Sequence, residues 1–199
     1  MKNIYIILLI ALQATFGPLA VAQSGADRSS DAESLKIAAI EALMSAPAER
    51  ALPIVTKVLK GDDSDDIKER ALFVLSQIDK AEARALLSDF ARNSQGDLQQ
   101  EAIRMIGING EQELLAGLIE IYRAGGTDVR EAVLEAYLIA DDADAVFQIA
   151  QAAEDADEFE EAVKMLGAMG AIRQLQALRN KEEMYESLIE AYAIAGDTE

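Results

Sequence analysis

The sequence predicts an all-α protein in which similar pairs of helices stack into a repeating array, an α-solenoid. Ala, Glu, Asp, Leu and Ile are abundant among the 199 residues, and only three residues are proline, a composition that favours helices. The segment EAVLEAYLIADD at 131–142 returns as ESLIEAYAIAGD at 186–197, with seven of the twelve positions identical. Related segments recur about every 30 residues, and such a period is typical of stacked repeats that share one continuous core.

The first helix of each pair has polar residues that lead into an alanine-rich, aliphatic segment. We predict first helices at 35–46, 66–78, 97–110, 131–142, 158–170 and 186–197. Each contains a small residue at a corresponding place, which would allow a neighbouring helix to approach closely. These residues are Ala39, Ala71, Ala102, Ala132, Ala162 and Ser187, which follow one another at intervals of 32, 31, 30, 30 and 25.

A second helix, with apolar residues at helical spacing, fits between successive first helices. The predicted second helices are 48–59, 81–92, 111–123, 143–154 and 172–179. Turns rich in Gly and Asp separate the units, and we expect Asp66, Asp97 and Asp128 to be the N-caps of the helices that follow them. Residues 34–199 therefore form one predicted domain of about five and a half helix pairs.

Two stretches of this array carry a family resemblance. TDVREAVLEAYLIADDADAVFQIAQAAED (127–155) and DDIKERALFVLSQIDKAEARALLSDFAR (65–92) resemble short HEAT-like repeats of the PBS-lyase type, with a D-[VI]-[RK]-x-x-A entry. The resemblance covers about 35–199, and it implies a right-handed α-solenoid whose second helices line the concave face. Tetratricopeptide repeats are the alternative, but their 34-residue period and Trp/Leu-Gly/Tyr pattern are missing here.

The first 22 residues have the features of a signal peptide. Lys2 precedes the apolar run IYIILLIAL (4–12), and Ala20, Val21 and Ala22 form a small-x-small cleavage site before Gln23. We predict cleavage after Ala22, a flexible linker at 23–33 and a periplasmic or secreted protein that is not inserted in the membrane. The alternative is an uncleaved anchor, but nine apolar residues are too few to span a bilayer.

Net charge and residue types exclude several classes of function. The formal charge of −18 disfavours binding to nucleic acid and to anionic lipid. The chain contains no His and no Cys, which rules out imidazole or thiolate metal sites and Ser-His or Cys-His nucleophiles. The acidic turn at 62–66 fails as a calcium loop, because Ile67 and Phe73 stand where Gly and Glu are needed. We therefore predict no catalytic residue, no metal and no cofactor, although some relatives of this repeat class are lyases.

The remaining candidate site is the exposed face of the second helices. A helical wheel places these residues opposite the apolar stripes: Arg84, Ser88, Arg92, Glu113, Glu120, Gln148, Gln151 and Arg173. Arginines kept on this face of an acidic chain suggest recognition of another protein or peptide, and we predict an exported protein-binding scaffold or adaptor. The alternative is that Arg84 or Arg92 forms salt bridges with Glu113 or Glu120 of the next second helix.

The last predicted helix carries an apolar arc that is too wide for a helix with one buried side. Tyr185, Ile189 and Tyr192 lie on this arc, which matches that of the interior helix at 131–142, yet no second helix follows. We expect this edge to bind a partner or a second copy, unless the chain is a fragment of a longer array. The alternative function is accordingly a structural or assembly subunit whose array ends make the contacts.

Overall fold

A computed structural model describes residues 23–179 and 185–196, and all regular elements in these ranges are helical. Of the described residues, 23–39 belong to one compact unit and those from Ile40 onward to a second. Helix α1 (Gln23–Glu41) covers the whole of the segment 23–33, which we predicted to be a flexible linker. Ala occurs four times in α1 and proline is absent from it, so no residue interrupts the helix.

The second unit follows the predicted alternation of first and second helices. A 3₁₀ turn (Ala42–Ser45) is followed by second helices α2 (Ala48–Leu59), α4 (Ala81–Asn93), α6 (Gln112–Ala124), α8 (Ala143–Ala152) and α10 (Ile172–Ala177). The first helices between them are α3 (Asp65–Ser76), α5 (Asp97–Asn109), α7 (Thr127–Ile139), α9 (Ala156–Ala168) and α11 (Tyr185–Ala195). The all-α repeat fold is therefore confirmed.

The helices of this unit pack in two layers. Each first helix from α3 to α11 contacts the next first helix along the chain, and α4, α6, α8 and α10 contact one another in the same way. Apolar side chains between the layers form the core, in which Leu72, Leu87 and Leu118 are fully buried. Each repeat packs against the repeats before and after it. Residues at equivalent positions of successive repeats are therefore exposed on the same side of the array.

The small residues chosen as markers of the repeat are mostly in the core. Ala71, Ala102, Ala132 and Ala162 are buried, as expected, whereas Ala39 is exposed and Ser187 is only half-buried. Gly107 and Gly167, five residues after the markers of their helices, pack directly against the backbone of the next first helix. The apolar period of a helix locates its buried side. Which residue lies closest to the next first helix also depends on how the two helices are placed.

The predicted N-caps lie inside the helices. Asp66, Asp97 and Asp128 are in the first turns of α3, α5 and α7, whose N-caps are Ser64, Gly96 and Gly126, so these cap predictions are wrong. Their carboxylates still interact favourably with the partial positive charge of the helix N-terminus, which explains their occurrence there. Side-chain caps are present on the next two helices, α8 and α9. Asp142 accepts from the Ala145 N–H at 3.0 Å, and Asp155 from the Glu158 N–H at 2.8 Å.

Candidate functional site

The predicted surface residues lie on four consecutive second helices. Six of them are exposed, namely Arg92, Glu113, Glu120, Gln148, Gln151 and Arg173, while Arg84 and Ser88 are half-buried. Because α4, α6, α8 and α10 contact one another in order, these side chains occupy one layer of the repeat unit. We call this surface, defined by these eight residues, the second-helix face.

Two arginines of the second-helix face form ion pairs with the following repeat. Arg92 Nη2 lies 3.2 Å from Glu120 Oε2, so α4 and α6 are joined by the salt bridge considered as the alternative to a binding role. Arg84 Nε lies 3.2 Å from Glu111 Oε2, and its Nη1 lies 3.0 Å from Asp79 Oδ1. Neither Glu111 nor Asp79 was predicted as a partner: Asp79 precedes α4, and Glu111, predicted as the first residue of the helix 111–123, is the N-cap of α6.

The Arg92–Glu120 pair borders a cavity of about 480 Å³. The cavity lies between the turn that joins α4 to α5 and the turn that joins α6 to α7. Ser94, Gln95 and Gln99 line one side, and Ile121 and Gly125 line the other. A cationic side chain, amide groups and an apolar side chain therefore adjoin the same concavity, a combination suited to a peptide side chain.

The other end of the face is built around α10. Gln174 Nε2 donates to Asp144 Oδ1 at 3.0 Å and so links α10 to α8. Within the described residues Arg173 forms no ion pair shorter than 4.0 Å, and it lines a cavity of about 390 Å³ with Asp141 and Asp142. Arg173 and these carboxylates therefore border the same concavity without a direct ion pair.

The apolar arc of α11 is divided by the packing. Leu188 and Ala191 are buried, whereas Ile189 is 70% exposed and Ile194 is 53% exposed. Tyr192 is half-buried, and its Oη lies 3.4 Å from Arg179 Nε. The side chain of Tyr185 lies outside the described residues. Of the predicted edge, Ile189 is therefore exposed and Tyr192 is half-buried, while the rest of the arc at Leu188 and Ala191 belongs to the core.

An acidic groove on the layer of first helices was not predicted. It has a volume of about 580 Å³ and is lined by residues of α3, α5 and α7, including Glu69, Glu101, Glu131 and Glu135. Burial raises the pKa of the Glu69 carboxyl above its usual value, and the neighbouring Glu101 carboxylate adds to this effect. In the part of the chain that the structure describes, no three His, Cys, Asp or Glu side chains converge to hold a metal ion.

Comparisons with known proteins agree with this geometry. The sequence model of the family described as HEAT repeats matches residues 52–138, which run from α2 to α7. The match supports a HEAT-like repeat protein, and the fold is an all-α, HEAT-like α-solenoid. Among helices of the described residues, none is long and apolar enough to cross a bilayer.

Two further comparisons add little. No match was found among curated proteins. The crystal structure of an engineered protein from the Northeast Structural Genomics Consortium is similar at 17% sequence identity and a TM-score of 0.43, over 82% of this chain and 90% of that chain. No conclusion rests on that likeness.

Proposed function

We propose that this chain is an exported, non-catalytic scaffold or adaptor that binds another protein or peptide through the second-helix face. Support comes from the HEAT-repeat match, since stacked helical repeats present extended surfaces that bind other macromolecules. The observation that carries the proposal is the cavity of about 480 Å³ beside the exposed Arg92–Glu120 ion pair, in which amide and apolar side chains adjoin a cation.

Such ion pairs are easily exchanged. An exposed salt bridge stabilises a fold by about 0–1 kcal/mol, because solvent screens it and two side chains must be ordered. A carboxylate of a binding partner can therefore replace Glu120 beside Arg92 at little cost to the fold. Arg92 also borders the 480 Å³ cavity, so a side chain could enter there next to the new ion pair.

Residue types support a role without catalysis. The chain has neither His nor Cys, so a reaction would depend on carboxylates, tyrosine, lysine or hydroxyl groups alone. A lyase activity of the kind known in some relatives is therefore the less favoured reading. Export is proposed from the signal-peptide features of residues 1–22, which lie outside the described residues.

The test is capture of binding partners from an envelope extract. The double variant Arg84→Glu and Arg92→Glu should lose partners that the unmodified protein retains. The matched control reverses Arg104 and Lys164, two exposed cations on first helices α5 and α9 that each pair within their own helix. Equal recovery of partners by both double variants would remove the second-helix face from consideration.

A second candidate function is an assembly subunit that makes its contacts through α11. The observation that favours it is the exposure of Ile189 and Ile194 on one helix. The two side chains lie about 140° apart around α11, on either side of the buried stripe, so each is a separate candidate contact site with another protein. Capture experiments with α11 variants separate this function from binding at the second-helix face.

A further inference from the structure

Large apolar side chains are exposed at the C-terminal ends of α5 and α7. Ile108 of α5 is 41% exposed, and on α7 Leu138 is 39% exposed and Ile139 is 46% exposed. Ile108 and Leu138 each stand six residues after the marker alanine of their helices, and the equivalent residues of α3 and α9 are Gln77 and Ala168, which are also exposed. Because a polar or small residue is accommodated at this position in the neighbouring repeats, packing of the array does not explain the apolar residues of α5 and α7.

These apolar residues share a side of each helix with carboxylates. On α5, spacings of four, three and four residues connect Asp97, Glu101, Arg104 and Ile108. On α7, spacings of three, four and three residues connect Asp128, Glu131, Glu135 and Leu138. Residues three and four apart lie on the same side of an α-helix. Each helix therefore carries an exposed stripe about 15 Å long, with an aspartate in its first turn and an apolar residue in its last turn.

The two stripes lie side by side. Helices α5 and α7 pack against each other through Gly107 and Ala136, near their C-terminal ends, and the charged residues of both stripes line the acidic groove of about 580 Å³. Ile108 and Leu138 follow one turn after the last charged residue of each stripe. We call the acidic groove, together with Ile108, Leu138 and Ile139 at its end, the first-helix face.

The groove has an excess of negative charge. Six carboxylates line it, those of Glu69, Asp97, Glu101, Asp128, Glu131 and Glu135. Arg104 is the one cation among the described residues that line the groove, and it is bound to Glu101, with 2.8 Å from Nε to Oε2 and 2.7 Å from Nη2 to Oε1. No ion pair shorter than 4.0 Å joins the other carboxylates of the groove to a cation of the described chain. Cationic side chains of a ligand can therefore bind here without breaking an ion pair.

The carboxylates are distributed along the helices. Asp97 and Glu101 are one turn apart on α5, and Glu131 and Glu135 are one turn apart on α7, so successive carboxylates of a stripe are separated by about 5 Å along the axis. A ligand that matches this surface carries several positive charges along its length and an apolar part at one end. A polypeptide segment with Lys or Arg on one side and aliphatic or aromatic residues at one end has both properties.

We propose that the first-helix face binds a basic, amphipathic segment of another protein. Its Lys or Arg side chains lie along the acidic groove, and its apolar side chains contact Ile108, Leu138 and Ile139. Charge complementarity selects this occupant, because a second copy of the chain would bring a further formal charge of −18 to an acidic surface. The apolar contacts are needed as well, since exposed ion pairs alone contribute little to affinity. This surface belongs to the other layer of helices, so the inference is independent of the second-helix face.

The test is NMR titration of the purified ¹⁵N-labelled protein with three synthetic peptides. The first is a helix-forming peptide of about 14 residues, in which three lysines spaced three or four residues apart are followed by two leucines on the same side. It should shift amide signals of α5 and α7 in a saturable way. Replacement of the lysines by glutamate should abolish binding, and replacement of the leucines by glutamine should weaken it about ten-fold.

Variants of the apolar end test the contact with the leucines. Ile108→Gln with Leu138→Gln should weaken binding of the lysine–leucine peptide about ten-fold and change the melting temperature little, because both side chains are exposed. Met44→Gln with Ile54→Gln is the matched control. These residues are also large, apolar and exposed, but they lie in the 3₁₀ turn and in α2. The control should bind the peptide as the unmodified protein does.

Variants of the groove test the contact with the lysines. Glu131→Gln with Glu135→Gln removes two exposed charges of α7 and should weaken binding of the same peptide about three- to ten-fold. Glu161→Gln with Glu190→Gln is the matched control, since it removes the same charge from exposed positions of α9 and α11. Its affinity for the peptide should be unchanged.

Four results of the titrations would overturn the proposal. They are the absence of saturable shifts on α5 and α7, equal binding of the glutamate peptide, equal binding of the peptide without leucines, and equal affinities of either variant pair and its control. Light scattering tests the other occupant. A dimer of the unmodified protein that dissociates in Ile108→Gln with Leu138→Gln would assign this face to a second copy and would also overturn the proposal. None of these results affects the capture experiment on Arg84 and Arg92, so the two proposals fail separately.

Discussion

Gly107 of α5 packs directly against Ala136 of α7, so closely that a Cβ atom on Gly107 would lie 2.6 Å from the Ala136 carbonyl oxygen. Gly167 of α9 is placed in the same way against Ala191 of α11, with a corresponding distance of 2.9 Å. In both cases the obstacle is backbone, which cannot turn aside as a long side chain can. The absence of a side chain at these two positions therefore sets how closely the paired first helices approach.

We expect Gly107→Ala to destabilise the protein by about 1–3 kcal/mol, because α5 and α7 must separate to admit the methyl group. Gly117→Ala is the matched control within helix α6. A Cβ atom there would meet only Arg92 Nη2, at 3.4 Å, the mobile end of a long side chain. Since Ala favours helices more than Gly does, this control should be neutral or stabilising by up to about 1 kcal/mol. Urea unfolding measures both changes, and equal effects would contradict the prediction.

Stability should fall at alkaline pH because of two buried tyrosines. Burial raises the pKa of Tyr122 and of Tyr137 above the ordinary value of 10.0. Above about pH 10 the unfolded chain loses these protons while the folded protein keeps them, so the unfolded state is favoured. Each tyrosine should lower the free energy of unfolding by up to about 1.4 kcal/mol per pH unit in this range, and not below it.

The measurement is urea unfolding at several pH values between 8 and 11.5. The variant with both Tyr122→Phe and Tyr137→Phe should show a markedly smaller decline above pH 10 than the unmodified protein. An identical decline in the two proteins would show that other groups cause the alkaline unfolding.

The ion pair between Arg92 and Glu120 allows binding to be separated from stability. Arg92→Glu places two carboxylates together and should destabilise the protein by no more than about 1 kcal/mol, since both side chains are exposed. Adding Glu120→Arg restores an ion pair with reversed polarity, and with it the stability. If a partner recognises the cation at position 92, capture should stay weak in the swapped variant. Full recovery of capture together with stability would show that the arginine acts only through the fold.

Exposed apolar residues of α11 should mediate self-association. We expect the unmodified protein to form dimers or larger species in light scattering, and Ile189→Glu with Ile194→Glu to be monomeric. These positions leave the contact between Tyr192 and Arg179 intact. Leu138→Glu with Ile139→Glu is the control, because these residues are likewise exposed on helix α7. A monomeric unmodified protein would leave α11 without a role in self-association.

Removal of the first 22 residues is testable by intact mass. After expression with export, the mature protein should begin at Gln23 and fractionate as soluble envelope material, because the site at Ala20, Val21 and Ala22 has the small residues that cleavage requires. A membrane-bound product that retains Met1 would show that the apolar segment is an uncleaved anchor.

Much of the fold could be predicted because it depends on local patterns. The helical period of apolar residues and the recurrence near 30 residues placed the helices, since an amphipathic helix must bury its stripe wherever the rest of the chain goes. The same patterns placed Ala71, Ala102 and Ala162 in the core. The second-helix face could be predicted for the same reason, because its residues lie opposite those stripes.

Tertiary structure alone decided the contacts between neighbouring helices. The pairing of Arg84 with Glu111, the approach of Gly107 to Ala136 and the hydrogen bond from the Tyr137 hydroxyl to the Leu115 carbonyl each join residues of different helices or their caps. Their distances depend on how far each helix is shifted along, and rotated against, the next helix. The hydrophobic period does not fix this shift and rotation. A stripe of apolar residues specifies which side of a helix is buried, because removing apolar side chains from water is favourable in every helix. Which atoms those side chains contact is determined only when the neighbouring helix is in place.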